Sequence, residues 1–455
     1  MTSTPATEQI GPAALQSPGR APVSSRPIGR LVAVLANHSF VDFFSFVGIS
    51  LLPLLVAEIG LTRQQKAILL GLGSITSGLI QPAVAGLSDR WDTRTLSTAG
   101  FVLAVVCVSN LGHAQNFWQL LVLHGLGAAG IGAFHPPAAA VTGQLAGRRR
   151  ALGMGLFFVL GMAGGFTGNV ATPMLVATVS EHAPAGADPE RFGLESLSWL
   201  MVPGLLACVL LAVAIHSVPH RRHDAHDHHG SLPAGERRRR WRAVWLLYAC
   251  NVIRFSVNIA LVYLFSEWAE QLTMQRQGLT VLTEAAGVDA SKINGPLQGA
   301  MQVGMGGMGL ALGALLAVRF EKLAFVGFPI VGAAFIAGVP FVSNVPEQSV
   351  VPAALALAVL SGVGFGSVIP VSMTAAQRLL PHRTSLASGL MLGGAWAFAF
   401  IGPQWAERTQ ELVSLDAAFF VTAGILFAGG LLALAIPGRL LIETDQHEQS
   451  AHTDR

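Results

Sequence analysis

His38 and Asp42 stand four residues apart in the stretch NHSFVDFF, residues 37 to 44. On a helix that spacing puts an imidazole and a carboxylate on one face, one turn apart, where they can share, take up and release a proton. Arg254, in NVIRFS (251 to 256), is a permanent cation whose five N–H donors suit a carboxylate or an anionic ligand. His135 precedes Pro136 and Pro137. Prolines free helix carbonyls, so a break in that helix is expected, with the imidazole either lining a cavity or satisfying the freed groups. All four residues lie in otherwise apolar runs, where an ionisable group is costly and therefore faces a protein interior or a watery path and finds a partner. The chemistry on offer is proton exchange and capture of a polar or charged small molecule. No paired catalytic carboxylates, metal-spaced histidines within the apolar runs, nucleotide loop or nucleophile motif is found, which argues against an enzyme and against a cofactor or metal.

The elements that must position these residues are membrane spans. Of the 455 residues, 52% are hydrophobic and only 12% charged, too few charges for the surface of a soluble protein of this length. About twelve apolar runs each approach the ~20 residues that cross ~30 Å of hydrocarbon. They fall at 31–57, 66–88, 96–113, 117–143, 151–179, 196–216, 243–268, 296–319, 322–343, 350–376, 383–408 and 414–437. Cys107, Cys208 and Cys250 all lie within spans, where a thiol behaves as a small apolar group, so neither a disulfide framework nor a cysteine metal site is indicated. The first thirty residues are rich in Ser, Thr, Pro, Ala and Gly without an apolar core, which reads as a disordered tail and not a signal peptide. With that tail in the cytoplasm, most of the 28 Lys and Arg residues fall on the cytoplasmic side, which predicts both termini inside a plasma (inner) membrane. The net charge of +3 then serves lipid anchoring, and nucleic acid is not an expected partner.

The chain also repeats. The segment from Gly130, GIGAFHPPAAAVTGQLAGRRR, lies without gaps on that from Gly364, GFGSVIPVSMTAAQRLLPHRT, and the alignment continues through Gly168 and Gly402. Gly130, Gly132, Pro136, Arg149, Gly155 and Gly168 meet Gly364, Gly366, Pro370, Arg383, Gly389 and Gly402. Two parallel six-helix halves follow: a tail at 1–30, a first half at 31–216, a linker at 217–242, a second half at 243–437 and a closing tail at 438–455. The linker carries His216, His220, His223, His226, His228 and His229 beside Asp224 and Asp227, either a solvated tether or a weak metal site, with Arg237 to Arg240 placed to touch anionic lipid. Residues 271–295, without counterpart in the first half, are expected to form an outer loop.

Six plus six helices, termini inside and a charged central loop resemble the major facilitator superfamily. GLSDRWDTR, residues 86 to 94, is similar to that superfamily's loop motif after the second span, with Asp92 where a glycine is usual. The resemblance makes Gly86, Asp89, Arg90 and Arg94 gating residues, Asp89 capping a helix and the arginines pairing with acids. AVRFEKL (317 to 323) keeps the Arg and aromatic without the acid before them, so the latch is expected to be asymmetric. NHSFVDFFSFVGISLLPLL, FHPPAAA and RTSLASGLMLGGAWAFAFIGP are similar to the first, fourth and eleventh spans of the fosmidomycin-resistance type of efflux carrier, with Pro137 where an acid is common. Gly155, Gly164 and Gly168 partly match a glycine-rich antiporter motif, with Asn169 where its proline belongs, although such spacing also serves plain helix packing.

Asp42 lies eleven residues past Leu31, about 16 Å at 1.5 Å per residue, and Arg254 eleven past Ala243, so both fall near mid-membrane. In the resembled fold the first and seventh helices occupy equivalent places around a central cavity, which implies an Asp42–Arg254 pair across it, either a fixed staple or a working site. Asp42 and His38 are then the proton-coupling residues. Arg254, His135, Asn37, Asn251, Asn258, Gln302 and Phe134 are the substrate-binding candidates, with interhelical hydrogen bonding as the alternative for Asn251, Asn258 and Gln302 and contact with lipid as that for Phe134. The implied function is a proton-driven exporter of small amphipathic or anionic compounds, antibiotics included, acting as a monomer with substrate, protons and lipid as partners. An uptake symporter for an organic acid is the nearest alternative, and a membrane enzyme or sensor the remote one.

Overall fold

In the computed structural model of the chain, residues 27–88, 94–216 and 233–453 are described, and among them there is no strand. The first half comprises α1 (Pro27–Ser50), α2 (Leu52–Ile59), α3 (Arg63–Ser88), α4 (Arg94–Ser109), α5 (Phe117–Ala146), α6 (Arg150–Glu181), α7 (Pro189–Glu195) and α8 (Met201–His216). The second comprises α9 (Ala234–Gln277), α10 (Glu284–Leu315), α11 (Glu321–Gly338), α12 (Glu347–Gly366), α13 (Ile369–Leu379), α14 (Thr384–Gly389), α15 (Ala395–Ala397), α16 (Ile401–Leu412) and α17 (Leu415–Leu432), followed by α18 (Gly438–Thr453). Among the described residues, eleven helical segments are long and apolar enough to cross a membrane. The remaining long helix, α10, carries Glu284, Asp289 and Lys292 in its opening turns and runs between the others as a twelfth. The protein is an all-α, polytopic membrane protein.

Small residues decide how the helices meet, because no hydrophobic force distinguishes a neighbouring helix from lipid and close backbone approach must supply the contact. The repeated glycines do equivalent work in both halves. A Cβ on Gly168 of α6 would lie 2.4 Å from the Phe43 carbonyl oxygen of α1, and one on Gly402 of α16 would lie 2.0 Å from that of Ser256 on α9. Gly130 presses on Gly100 of α4, as Gly364 presses on Gly332 of α11. The halves meet along two seams, α6 against α10 and α3 against the α14–α16 run, where a Cβ on Gly78 would overlap Ala397.

Three expectations are corrected. Residues 271–295 are not an outer loop: α9 continues to Gln277 and α10 starts at Glu284 with Thr283 capping it. At 44 residues α9 is about 66 Å long, far more than the bilayer core requires, so it projects beyond it. The fourth span does not break at Pro136-Pro137, since α5 runs through both. The first span does break, at Leu51, where Pro53 opens α2 in its first turn. The tail 1–26 and the linker residues 217–232, with five of the six linker histidines, lie outside the described residues. His216 ends α8, its Nδ1 bonded to the Ala212 carbonyl at 3.0 Å.

Candidate functional site

His38 and Asp42 do share a face of α1, with His38 Nε2 3.5 Å from Asp42 Oδ2. What completes the site is His135 from α5, whose Nε2 lies 3.3 Å from Asp42 Oδ1. His38 is clamped on its other side by α6: its Nδ1 is 2.6 Å from the Phe157 carbonyl oxygen and its ring stacks on that of Phe157 at 3.6 Å. Gly161, one turn further along α6, makes the room, since a Cβ there would lie 2.4 Å from His38 Cε1 and 2.5 Å from Asp42 Oδ2. His38 and Asp42 are buried, whereas the His135 side chain is 25% exposed and gives the cluster its opening.

The backbone dictates where the protons sit. A carbonyl oxygen only accepts, so Nδ1 of His38 donates to Phe157, and Nδ1 of His135 donates to Ile131 at 2.8 Å. In the neutral imidazoles each Nε2 is then a bare lone pair facing a carboxylate oxygen. Either contact becomes a favourable hydrogen bond only when a proton is added to its imidazole or to the carboxyl oxygen that faces it, and one proton serves one contact. One ligand atom from each of the three residues lies within 4.8 Å of the other two, a donor set of the kind that holds a divalent transition ion, but three ligands fall short of the four of a closed site.

Arg254 is not part of this cluster, contrary to the expected pair with Asp42. Its guanidinium donates to Asn251 Oδ1 at 2.9 Å and to the Phe325 carbonyl at 3.2 Å and lies over the Phe325 ring. Counting residues along a helix gives depth but not rotation. At this depth the polar side chains of α1 turn into α5 and α6, and those of α9, Asn251 and Arg254, turn into α13 and α11, each within its own half. Asn251 is spent on packing, donating to Ser372 Oγ at 2.8 Å and to the Met391 carbonyl at 3.1 Å. Phe134 is buried between His38 and Phe101 and faces no opening. Asn258 is buried on α9, one turn beyond Arg254. Asn37 and Gln302 keep a buried side-chain oxygen without a protein partner, and Asn169 and Thr172 on α6, the helix that faces α10, do the same. Buried polar atoms of this kind normally mark a functional or watery place.

Of the loop motif, Asp89 and Arg90 lie outside the described residues. Gly86 is exposed with open space around it, and Arg94 donates to the His216 carbonyl at 3.4 Å, tying α4 to the end of α8. In the second half the acid follows the aromatic: Glu321, the first residue of α11, is 3% exposed and pairs with Arg378 of α13 at 2.5 Å. The expected asymmetry therefore concerns the acid's position in the motif, and the second half has an acid–base pair of its own. The end of the bundle opposite the termini holds a cluster that reading by span overlooked. Lys66 of α3 is 1% exposed, with Nζ 2.5 Å from Glu267 Oε1 and 2.5 Å from Glu270 Oε1, both on α9. Gln410 of α16 donates to Glu267 at 2.6 Å and Ser266 to Glu270 at 2.9 Å. The available signal was two acids three residues apart at the end of the seventh apolar run.

A family model described as Major Facilitator Superfamily matches residues 34–403. The chain is 23% identical over 411 residues to the fosmidomycin resistance protein of Escherichia coli (strain K12), covering 90% of this chain and 93% of that one. Among solved structures it is similar to an inward-facing, occupied bacterial homologue of the human lysosomal transporter Spinster, with 14% identity, TM-score 0.60 and coverage of 91% and 96%. It is similar also to a bacterial homologue of the human drug peptide transporters PepT1 and PepT2, with 12% identity, TM-score 0.63 and coverage of 92% and 99%.

Proposed function

The chain belongs to the Major Facilitator Superfamily, and we propose that this transporter is a proton-coupled exporter of small amphipathic or anionic organic compounds, antibiotics among them, working by alternating access in a plasma (inner) membrane with both termini cytoplasmic. The observation that carries the reading is the cluster of His38, Asp42 and His135, whose two Nδ1 protons are fixed by carbonyls and whose two Nε2 atoms converge on one carboxylate. With one added proton the cluster is neutral, and placed between His135 and Asp42 that proton makes a hydrogen bond that ties α5 to α1. Without it, a carboxylate faces two lone pairs and the tie between α5 and α1 is lost, while the His38 bond to α6 remains. Proton and substrate then bias the same rocking of the two halves, which is all that coupling requires. Asn37, Asn169, Thr172 and Gln302, with their buried unsatisfied polar atoms, are the groups for substrate to meet. Arg254, held by Asn251 and Phe325, acts on substrate indirectly, by fixing the α9 wall. The efflux direction draws support from the resistance activity in the name of the Escherichia coli relative.

The test is transport by purified protein in vesicles with an imposed pH gradient, a chelator throughout, and a panel of phosphonates, organic acids and antibiotics. Asp42→Asn should abolish gradient-driven accumulation yet keep substrate counterflow. Wild-type accumulation by that variant would reject the coupling role. Movement of substrate in the same direction as protons would replace the exporter with an uptake symporter.

A further inference from the structure

We propose that the cleft formed by α11 and α12 with the end of α10 is a binding site for a single anionic phospholipid, its acyl chain in the cleft and its phosphate on Arg319, with Lys322 adding positive charge nearby. The cleft has a volume of about 290 Å³ and a wholly apolar lining that includes Leu316, Phe320, Leu323, Val331, Phe335 and Leu360. That volume approaches the lower range of pockets that hold small molecules. It exists because the helices touch and then diverge. At Gly332 a Cβ would lie 2.5 Å from the Gly364 Cα, whereas a Cβ on Gly327, about a turn and a half nearer the α10–α11 connection, would meet nothing within 4 Å. Leu323, Val331 and Phe320 are exposed along its edge, as side chains in contact with lipid tails are.

The rim points to a charged headgroup. Arg319 sits in the short turn Val318–Phe320, exposed, with its guanidinium 4.8 Å over the ring of Phe320, which lines the cleft. Lys322, three residues on and in the first turn of α11, rests its stem against Gly438 at the end of the bundle that carries the C-terminal helix. The acid between them, Glu321, is turned inward and committed to Arg378. One exposed cation at the mouth of an apolar cleft, Arg319, with the half-buried Lys322 adding its charge from the adjoining turn and the intervening carboxylate paired away, complements a phosphate whose chain enters the membrane beside it. A zwitterionic lipid would use the cleft but gain little from the rim.

Lipid binding to the purified full-length chain, delipidated in one detergent, can be titrated by native mass spectrometry with phosphatidylglycerol and phosphatidylcholine of identical chains. The wild type should hold one phosphatidylglycerol more tightly than phosphatidylcholine. Arg319→Gln with Lys322→Gln should weaken phosphatidylglycerol about thirtyfold and leave phosphatidylcholine unchanged. Gly327→Leu, which fills open space and so preserves the fold, should weaken both lipids. Equal binding of the two lipids by wild type, or unchanged phosphatidylglycerol binding in either variant, overturns the proposal. So does competitive displacement of the lipid by a transported compound, which would make the cleft a substrate site.

Discussion

Replacing Lys66 with Met removes the one cation that both Glu267 and Glu270 share. In the structure Lys66 is buried with both carboxylates 2.5 Å away, and the remaining cation nearby, Arg63, reaches only Glu267, at 3.2 Å, from a side chain 54% exposed. Breaking a buried ion set by deleting one partner costs about 3–5 kcal/mol, because a charge is left desolvated. Here the penalty falls on the conformation in which α3 meets α9. Once the halves part at that end, water reaches both carboxylates and the penalty disappears. At about 1.4 kcal/mol per tenfold, the balance should move toward the parted conformation by about a hundredfold or more. Ser291 of α10 reports the change, since it is 1% exposed and its hydroxyl accepts from the Leu54 N–H of α2 at 3.3 Å, another contact between the halves at that end. With Cys107, Cys208 and Cys250 changed to Ala, a Ser291→Cys thiol should be alkylated at least tenfold faster in Lys66→Met than in its parent. Neutralising the acids as well, with Glu267→Gln and Glu270→Gln, should restore much of the protection. If the folded Lys66→Met protein keeps its thiol as protected as the parent, or the triple variant gives no protection back, the cluster is not a clamp between the halves.

Gly161→Ala should leave folded yield near wild type, because the new methyl meets side chains and not backbone, but should cut gradient-driven transport tenfold or more by pushing His38 and Asp42 apart; a vesicle assay beside size-exclusion yield separates the two effects. Gly164→Ala meets the Ser39 carbonyl oxygen at 2.0 Å and should destabilise the protein by about 1–3 kcal/mol, whereas Gly155→Ala, in open space, should be neutral in the same thermal-unfolding comparison. Arg378→Gln strands the buried Glu321 carboxylate and should destabilise by about 3–5 kcal/mol, with much of the loss recovered when Glu321→Gln is added; equal stability of the single and double variants would contradict this.

The sequence by itself determined the class, the spans and the pairing of His38 with Asp42, because these depend on local quantities: apolar run length against bilayer thickness, and the four-residue period of a helix face. It also exposed the repeat, and the aligned glycines close equivalent helix contacts, Gly168 on α1 and Gly402 on α9. Tertiary structure decided what each polar face meets. His135 joins Asp42 from 93 residues away, and Lys66 reaches Glu267 across 201. Arg254, at the same counted depth as Asp42, turns instead to Asn251 and Phe325. The spacing along a helix fixes which side chains share a face, but the direction of that face is set by how the helix is rotated in the bundle. That rotation is chosen by contacts such as Gly164 against Ser39, where the absence of one methyl group lets two backbones meet.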